Sequence, residues 1–455
     1  MNTCAAPTLR LPFAGCLLSV VLTLGTLLPK SGHAEPWVPR HDVFLGESAA
    51  QLGSSMVVNV VLDNGSRRVA RLYVGAPNAT KDGLLQAGAV YIYNPAPQGW
   101  LLANTLYASM PQAGAHFGAT LAFGTGQLAV GAPDFASGGA GAGRVEFFTD
   151  NGLPPAVLAL SAAISGGAGQ HYGRALAMDG DMLAISYLPS SDAGCVTSYR
   201  YSPAVPHLRP LPAIHNFICG VAGAKLGASM AIRRTGDADF VLVAGAPGES
   251  RNGNALAGAA HVYAPNPDVV TGGLIDIGTL AAPDPAFLDV FGTSVGVDSN
   301  YVYVGATGRD NGAGRVGSVT IFKPAAVFGY DLVNEYFPED ADIGGHCGAS
   351  LSVDTYNNDR FIVGCPDSSG VFVDDGKAYV FEKTSFLGQP VWVPSSLTTG
   401  LLSHGADHLG SSVAIFGVQA FVGARTTDAV GPPTVDNGGW WEFGPDAALF
   451  EDGFE

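Results

Sequence analysis

A bulky residue followed by glycine returns seven times along the chain, and no other feature of the sequence restricts the fold as much. The pairs are Leu52-Gly53, Phe117-Gly118, Tyr172-Gly173, Leu226-Gly227, Phe291-Gly292, Cys347-Gly348 and Leu409-Gly410. Consecutive pairs stand 65, 55, 54, 65, 56 and 62 residues apart, by subtraction of their positions. Each pair opens a short apolar stretch, and a second stretch then ends in Gly-Ala-Pro or a variant of it. Gly75-Ala76-Pro77, Gly131-Ala132-Pro133 and Gly245-Ala246-Pro247 are complete. Gly305-Ala306-Thr307, Gly364-Cys365-Pro366 and Gly423-Ala424-Arg425 each differ at one position, and the third copy, at Ile185-Ser186-Tyr187, is degenerate. A loop rich in Gly, Asp and Asn follows, then a third stretch such as Gly88 to Tyr93 and a fourth such as Trp100 to Ala108.

Four short strands per period of this length make one blade of a propeller. The stretches alternate and carry Val, Ile, Tyr and Phe, whereas helical periodicity is nearly absent. The excess of Gly (62 residues) and Pro (30) suits many tight turns. The sequence therefore predicts an all-β, seven-bladed β-propeller with four-stranded blades. Trp37 to Leu45 lies before the first pair and resembles the fourth strands at Trp100 to Ala108 and Trp392 to Thr399. The seventh copy shows three strands, ending near Gly439-Trp440-Trp441-Glu442-Phe443. The N-terminal strand is thus expected to complete the seventh blade, which would remove two open sheet edges.

Residues 1–34 read as a secretory signal: Arg10 supplies positive charge, Leu11 to Leu28 is mostly apolar, and Gly32-His33-Ala34 offers small residues at the cleavage positions. The expected division is a signal at 1–34, the propeller at 35–443 and an acidic tail at 444–455. Export to the periplasm, outer surface or extracellular space follows. No later stretch is long and apolar enough to span a bilayer. The formal charge is −17, and loss of Arg10 and Lys30 with the signal makes it −17 − 2 = −19. Such a surface disfavours nucleic acid, which needs clustered Lys and Arg. Cys195, Cys219, Cys347 and Cys365 remain after cleavage. In an oxidising compartment they suggest two disulfides, with three possible connectivities.

The paired bulky-Gly and Gly-Ala-Pro segments resemble FG-GAP repeats, the units of the integrin α-subunit head and of many exported bacterial proteins. The resemblance covers nearly the whole mature chain. It implies that Gly53, Gly118, Gly173, Gly227, Gly292, Gly348 and Gly410, with Gly75, Gly131, Gly245, Gly305, Gly364 and Gly423, form a structural cage and have no catalytic role. It also implies that Cys347 and Cys365, which occupy cage positions in neighbouring strands, bond to one another. Cys195 and Cys219, flanking a strand connection in the weakest repeat, are then the other expected pair.

The resemblance also implies calcium, held by D-x-[DN]-x-D-G-like loops between the first two strands of a blade. Here Asp354, Asn357, Asn358 and Asp359 form the best cluster, without the glycine or the carboxylate spacing. Asp and Asn favour such turns without any ion. His116, His171, His346 and His408 each precede an anchor pair directly. A recurring repeat position points to a structural task, such as bonding the neighbouring blade, rather than to one shared metal. Gly292-Thr293-Ser294-Val295-Gly296 matches G-x-S-x-G, but it opens a strand and lies in a column with Ser55, Ser229, Ser350 and Ser412. Gly312 to Gly317 matches G-x-G-x-x-G, yet it too opens a strand instead of a helix.

Function is expected in the long loops, notably Asp134 to Gly143, Gly248 to Gly258, Thr307 to Gly314, Asp367 to Gly376 and Thr426 to Gly438. The leading expectation is a monomeric, non-enzymatic binding or adhesion module for a protein or glycan. The alternatives are a hydrolase or lyase with its site at the channel mouth, and a purely structural envelope protein.

Overall fold

The computed structural model describes residues 36–445, apart from 45–46, 48, 64–65, 138, 151–155, 203–206, 211–216, 237–238, 267–272, 327–328, 341, 370–372, 400–405 and 428–436. Seven antiparallel sheets form a seven-bladed propeller, six of them with four strands. No helix occurs among the described residues. In blade one the strands run Ser55–Asp63, Ser66–Ala76, Ala89–Ala96 and Gly99–Leu106, from the channel outwards. Blade three has a fifth strand because its outer position is split: His207–Pro210 and Phe217–Cys219 pair with different parts of Cys195–Ser202.

Ring closure follows the expectation. Trp37–Phe44 is the outer strand of blade seven and pairs antiparallel with Gly439–Pro445, Trp37 opposite Pro445 and Phe44 opposite Gly439. That strand runs two residues past Phe443, so the expected tail begins inside it. Residues 1–35 and 446–455, which carry the expected signal and the rest of the tail, lie outside the described residues.

The core is divided among the blade interfaces. Seven apolar clusters each join two adjacent blades: one, for example, packs Tyr73, Val90 and Ile92 of blade one on Phe117, Leu128 and Val130 of blade two. The second strands are accordingly mostly buried, and Gln127–Ala132 wholly so, whereas outer strands such as Ala159–Ser165 stay half exposed.

The repeat glycines follow from how closely adjacent blades approach. Gly118 has φ +89°, a conformation that disfavours a side chain. Its carbonyl oxygen lies 2.1 Å from where a Cβ on Gly75 of the preceding blade would stand. The serine column completes the joint. Hydroxyls of Ser55, Thr120, Ser229, Ser294, Ser350 and Ser412 donate to the carbonyls of Gly118, Gly173, Gly292, Gly348, Gly410 and Gly53, at 2.7–2.9 Å. Each bond crosses to the next blade. The degenerate third copy departs in a compensated way. Ser186 stands where the other copies have glycine, and the column position there is Ala175, whose N–H donates to the Ser186 hydroxyl oxygen at 2.9 Å. Ser294, the centre of the G-x-S-x-G match, is buried in this joint.

Candidate functional site

Each blade presents its long second-to-third loop, and its return to the next blade, on one face of the ring. The imidazoles of the histidine column meet carboxylates there. His116 Nδ1 lies 2.7 Å from Asp134 Oδ2, and His171 Nδ1 lies 2.9 Å from Asp134 Oδ1. Asp134 directly follows Gly131-Ala132-Pro133 in blade two, and His171 belongs to the turn that enters blade three. One carboxylate therefore holds two imidazoles across a blade junction. The arrangement repeats: Asp367, after Gly364-Cys365-Pro366, holds His346 and, at 2.8 Å, His408 of the next junction. All four histidines have positive φ, 48° to 55°, because the anchor turn requires it.

These groups are partly exposed: Asp134 at 40%, His116 at 28% and His171 at 40% of the side chain. The hydrogen bond from His116 holds the Asp134 carboxyl below its usual range, against the opposing effect of burial. Among the described residues no hydrogen-bond partner is found for Nε2 of His116 or His171. Gly141 lies against the edge of His171, its Cβ position 2.8 Å from the ring. With Nδ1 braced by a carboxylate and Nε2 free, an imidazole can accept a proton from a bound water or alcohol.

A third imidazole is engaged at both ends. His261 of blade four bonds Glu249 through Nε2 at 2.8 Å and Asp276 through Nδ1 at 3.1 Å. Burial opposes the charge on His261, but the two carboxylates outweigh it and raise its pKa. Burial likewise pushes Glu249 up, and the bond to His261 overcomes that and lowers it. With both nitrogens committed, His261 is an ion-pair member rather than a base.

The expected calcium loop looks different. Asp354 is fully buried at the end of the inner strand of blade six, where its Oδ1 accepts the N–H of Tyr356 at 3.1 Å. Burial raises its pKa. Asp359 instead lies beside the Arg360 guanidinium at 3.4 Å, and Asn357 reaches Asp354 through its backbone N–H. Among the described residues no three His, Cys, Asp or Glu side chains are arranged to hold a metal ion. Both disulfides are formed as expected: Cys347–Cys365 inside the cage of blade six, and Cys195–Cys219 between the third strand of blade three and its split outer strand.

Sequence reasoning found the histidine column but not its partners. The signal was present: aspartate follows the Gly-Ala-Pro position in blades two and six, whose own entry turn and next entry turn both carry histidine. The His261 cluster left no such trace, because its three members share no repeat position.

The profile of the FG-GAP repeat matches residues 276–322. These run from the outer strand of blade four through the first three strands of blade five. With its seven phased blades, the ring fits a propeller of FG-GAP repeats. No curated protein matches the sequence. Among solved structures, a Pseudomonas aeruginosa periplasmic gluconolactonase is 14% identical, with a TM-score of 0.46 over 80% of this chain and 96% of its own. Candidate 6-phosphogluconolactonases of Bacteroides uniformis and Bacteroides fragilis are 14% and 13% identical, with TM-scores of 0.48 and 0.49. They cover 76% and 81% of this chain, and 85% and 97% of their own. Against the expectation of a non-enzyme, these structural neighbours are all named as lactonases. At this level of likeness they carry no substrate across.

Proposed function

We propose that the chain is an exported propeller that acts as a hydrolase at its loop face, with the His116–Asp134–His171 cluster as general base. The observation that supports this is the geometry of that cluster: an ionised carboxylate bracing two Nδ1 atoms, with both Nε2 atoms unoccupied on a partly exposed surface. In the proposed step, Nε2 takes a proton from water as the water oxygen bonds to the carbonyl carbon of an ester or lactone. The acyl C–O bond then breaks, and the imidazolium returns the proton to the departing alkoxide oxygen. Such a base is worth roughly 10²–10⁴ in rate. The two disulfides support export, since such bonds persist in oxidising compartments.

The test is hydrolysis of a panel of aryl esters and sugar lactones by the purified mature protein, its H116N and H171N variants and D134N. A fall in kcat of about a hundredfold or more, with KM little changed, is the expected result. Turnover by none of the panel, or full turnover by all three variants, would reject the assignment.

One observation favours a second role, partner binding. Leu85, Phe287, Ile343 and Val373 stand exposed on loop-face segments of the ring. Exposed apolar side chains among polar loops suit recognition of a protein or glycan. Binding on protein or glycan arrays that survives H116N and H171N would separate this role from catalysis.

A further inference from the structure

The opposite face of the ring, where the first two strands of each blade turn, opens onto the central channel. In a propeller the innermost strands face this channel, and water normally has access to it. Here most of the wall's side chains are apolar, with Ser352, Thr355 and backbone groups between them. Val57, Met178, Met230, Val295, Leu351 and Val353, from blades one, three, four, five and six, border a cavity of about 270 Å³. Most of these side chains are only half buried, although none of the described residues fills the space. Apolar surface left open in an otherwise charged, acidic molecule marks a ligand site.

The mouth has a distinct chemistry. The inner hairpin of blade one, built from Ser55–Asp63 and Ser66–Ala76, has the longest inner pair of strands in the ring. It crosses the mouth and adds Val58, Val60 and Arg67 to two further cavities of about 220 and 490 Å³. Val57 and Phe123 also border the channel, so the three spaces adjoin along one wall. The Arg67 guanidinium lies over the Tyr356 ring at 4.9 Å, and no carboxylate partner for it is found among the described residues. The carboxylate bordering the same space, Asp179, is already engaged by the N–H of Arg234 at 2.8 Å and by Arg233 at 3.6 Å.

We propose that this channel binds a single-chain aliphatic carboxylate, with the alkyl tail along the apolar wall and the carboxylate on Arg67. The two parts of the site call for the two parts of the ligand. Apart from Ser352 and Thr355, the side chains bordering the channel offer no hydrogen bond, which favours an alkyl tail over a polar one. Methionines 178 and 230 can adapt to a flexible chain. Arg67 offers a planar fork that matches a carboxylate, and the Tyr356 ring keeps it facing the mouth.

Titration calorimetry of the mature protein with sodium octanoate, decanoate and dodecanoate tests this, with decanol and decyltrimethylammonium as neutral and cationic probes. The expected result is saturable one-to-one binding that tightens roughly fourfold per added methylene. Arg67→Gln, on an exposed strand end, should keep the wild-type melting temperature and weaken decanoate about tenfold while leaving decanol unchanged. The proposal is overturned by an absence of saturable heat with decanoate, by affinity independent of chain length, by equal binding of the cationic probe, or by unchanged decanoate affinity in Arg67→Gln.

Discussion

Asp150 of blade two lies buried at the interface with blade one, where its carboxylate receives the Arg71 guanidinium and the Tyr73 hydroxyl. Arg71 is itself 1% exposed and also donates to Asn94 at 3.1 Å. Burial drives the Tyr73 hydroxyl far above its ordinary pKa, and the Asp150 charge adds to that, so the tyrosine stays a donor. Asp150→Ala leaves a guanidinium in the core without its counter-charge. The cost of breaking a buried pair from one side is about 3–5 kcal/mol. At about 2 °C per kcal/mol for a chain of this size, the melting temperature should fall roughly 6–10 °C. Asp150→Asn keeps an acceptor for Tyr73 and should fall less. The double variant Arg71→Met, Asp150→Leu removes both charges and should return to within about 1 kcal/mol of the parent, because most of the single-variant penalty is the stranded charge. Scanning calorimetry on all four proteins decides the matter. A loss below about 1 kcal/mol in Asp150→Ala, or a double variant no better than the single one, would show that charge burial is not what this junction depends on.

Ser412→Ala removes the hydroxyl bond to Gly53 at the closing junction and should lower stability by about 1 kcal/mol, read from the urea midpoint at constant slope. Reduction of Cys347–Cys365, which spans 18 residues, should cost about 3 kcal/mol, seen as a lower melting temperature in dithiothreitol or in the double serine variant. A chain starting after Phe44 lacks the outer strand of blade seven and should aggregate on size-exclusion chromatography, since Gly439–Pro445 then becomes an open edge. The Glu249–His261 pair predicts a stability maximum in mildly acidic buffer. The raised His261 pKa gives stabilisation that is complete below about pH 6.5 and is lost as pH rises through the folded value. The lowered Glu249 pKa gives stabilisation present above about pH 4.3 and lost as pH falls through its folded value. Melting curves of His261→Asn across pH should lose the alkaline limb of that dependence.

The ring was legible in the sequence because its determinants are backbone contacts that repeat. Gly75 and Gly118 approach so closely that no other residue fits, and the same collision recurs at nearly every junction, leaving a glycine pair in the chain once per repeat. Closure by Trp37–Phe44 was legible for a related reason. The seventh copy is one strand short, and an unpaired edge is costly enough that the missing strand has to come from elsewhere. The split outer strand of blade three was not legible, since strand breaks there depend on how two segments share one partner, which local composition does not encode.

Side-chain chemistry divides along the same line. His116, His171, His346 and His408 stood out because a repeat position carried them, and their partners Asp134 and Asp367 occupy a repeat position as well. Their meaning emerged only in three dimensions, since each carboxylate reaches one histidine of its own blade and one of the next, 18 and 37 positions away in blade two. The Asp354 cluster shows the opposite case. Acidic residues dense in sequence suggest a cation site, yet the chain turns Asp354 inward to cap backbone N–H groups while Asp359 meets an arginine. The channel left no local mark at all: residues such as Val57, Met178 and Leu351 read as ordinary strand apolars, and only the ring turns them toward a shared empty space. A repeat fold therefore advertises what holds it together, whereas the surfaces it forms between distant copies must be read from the closed ring.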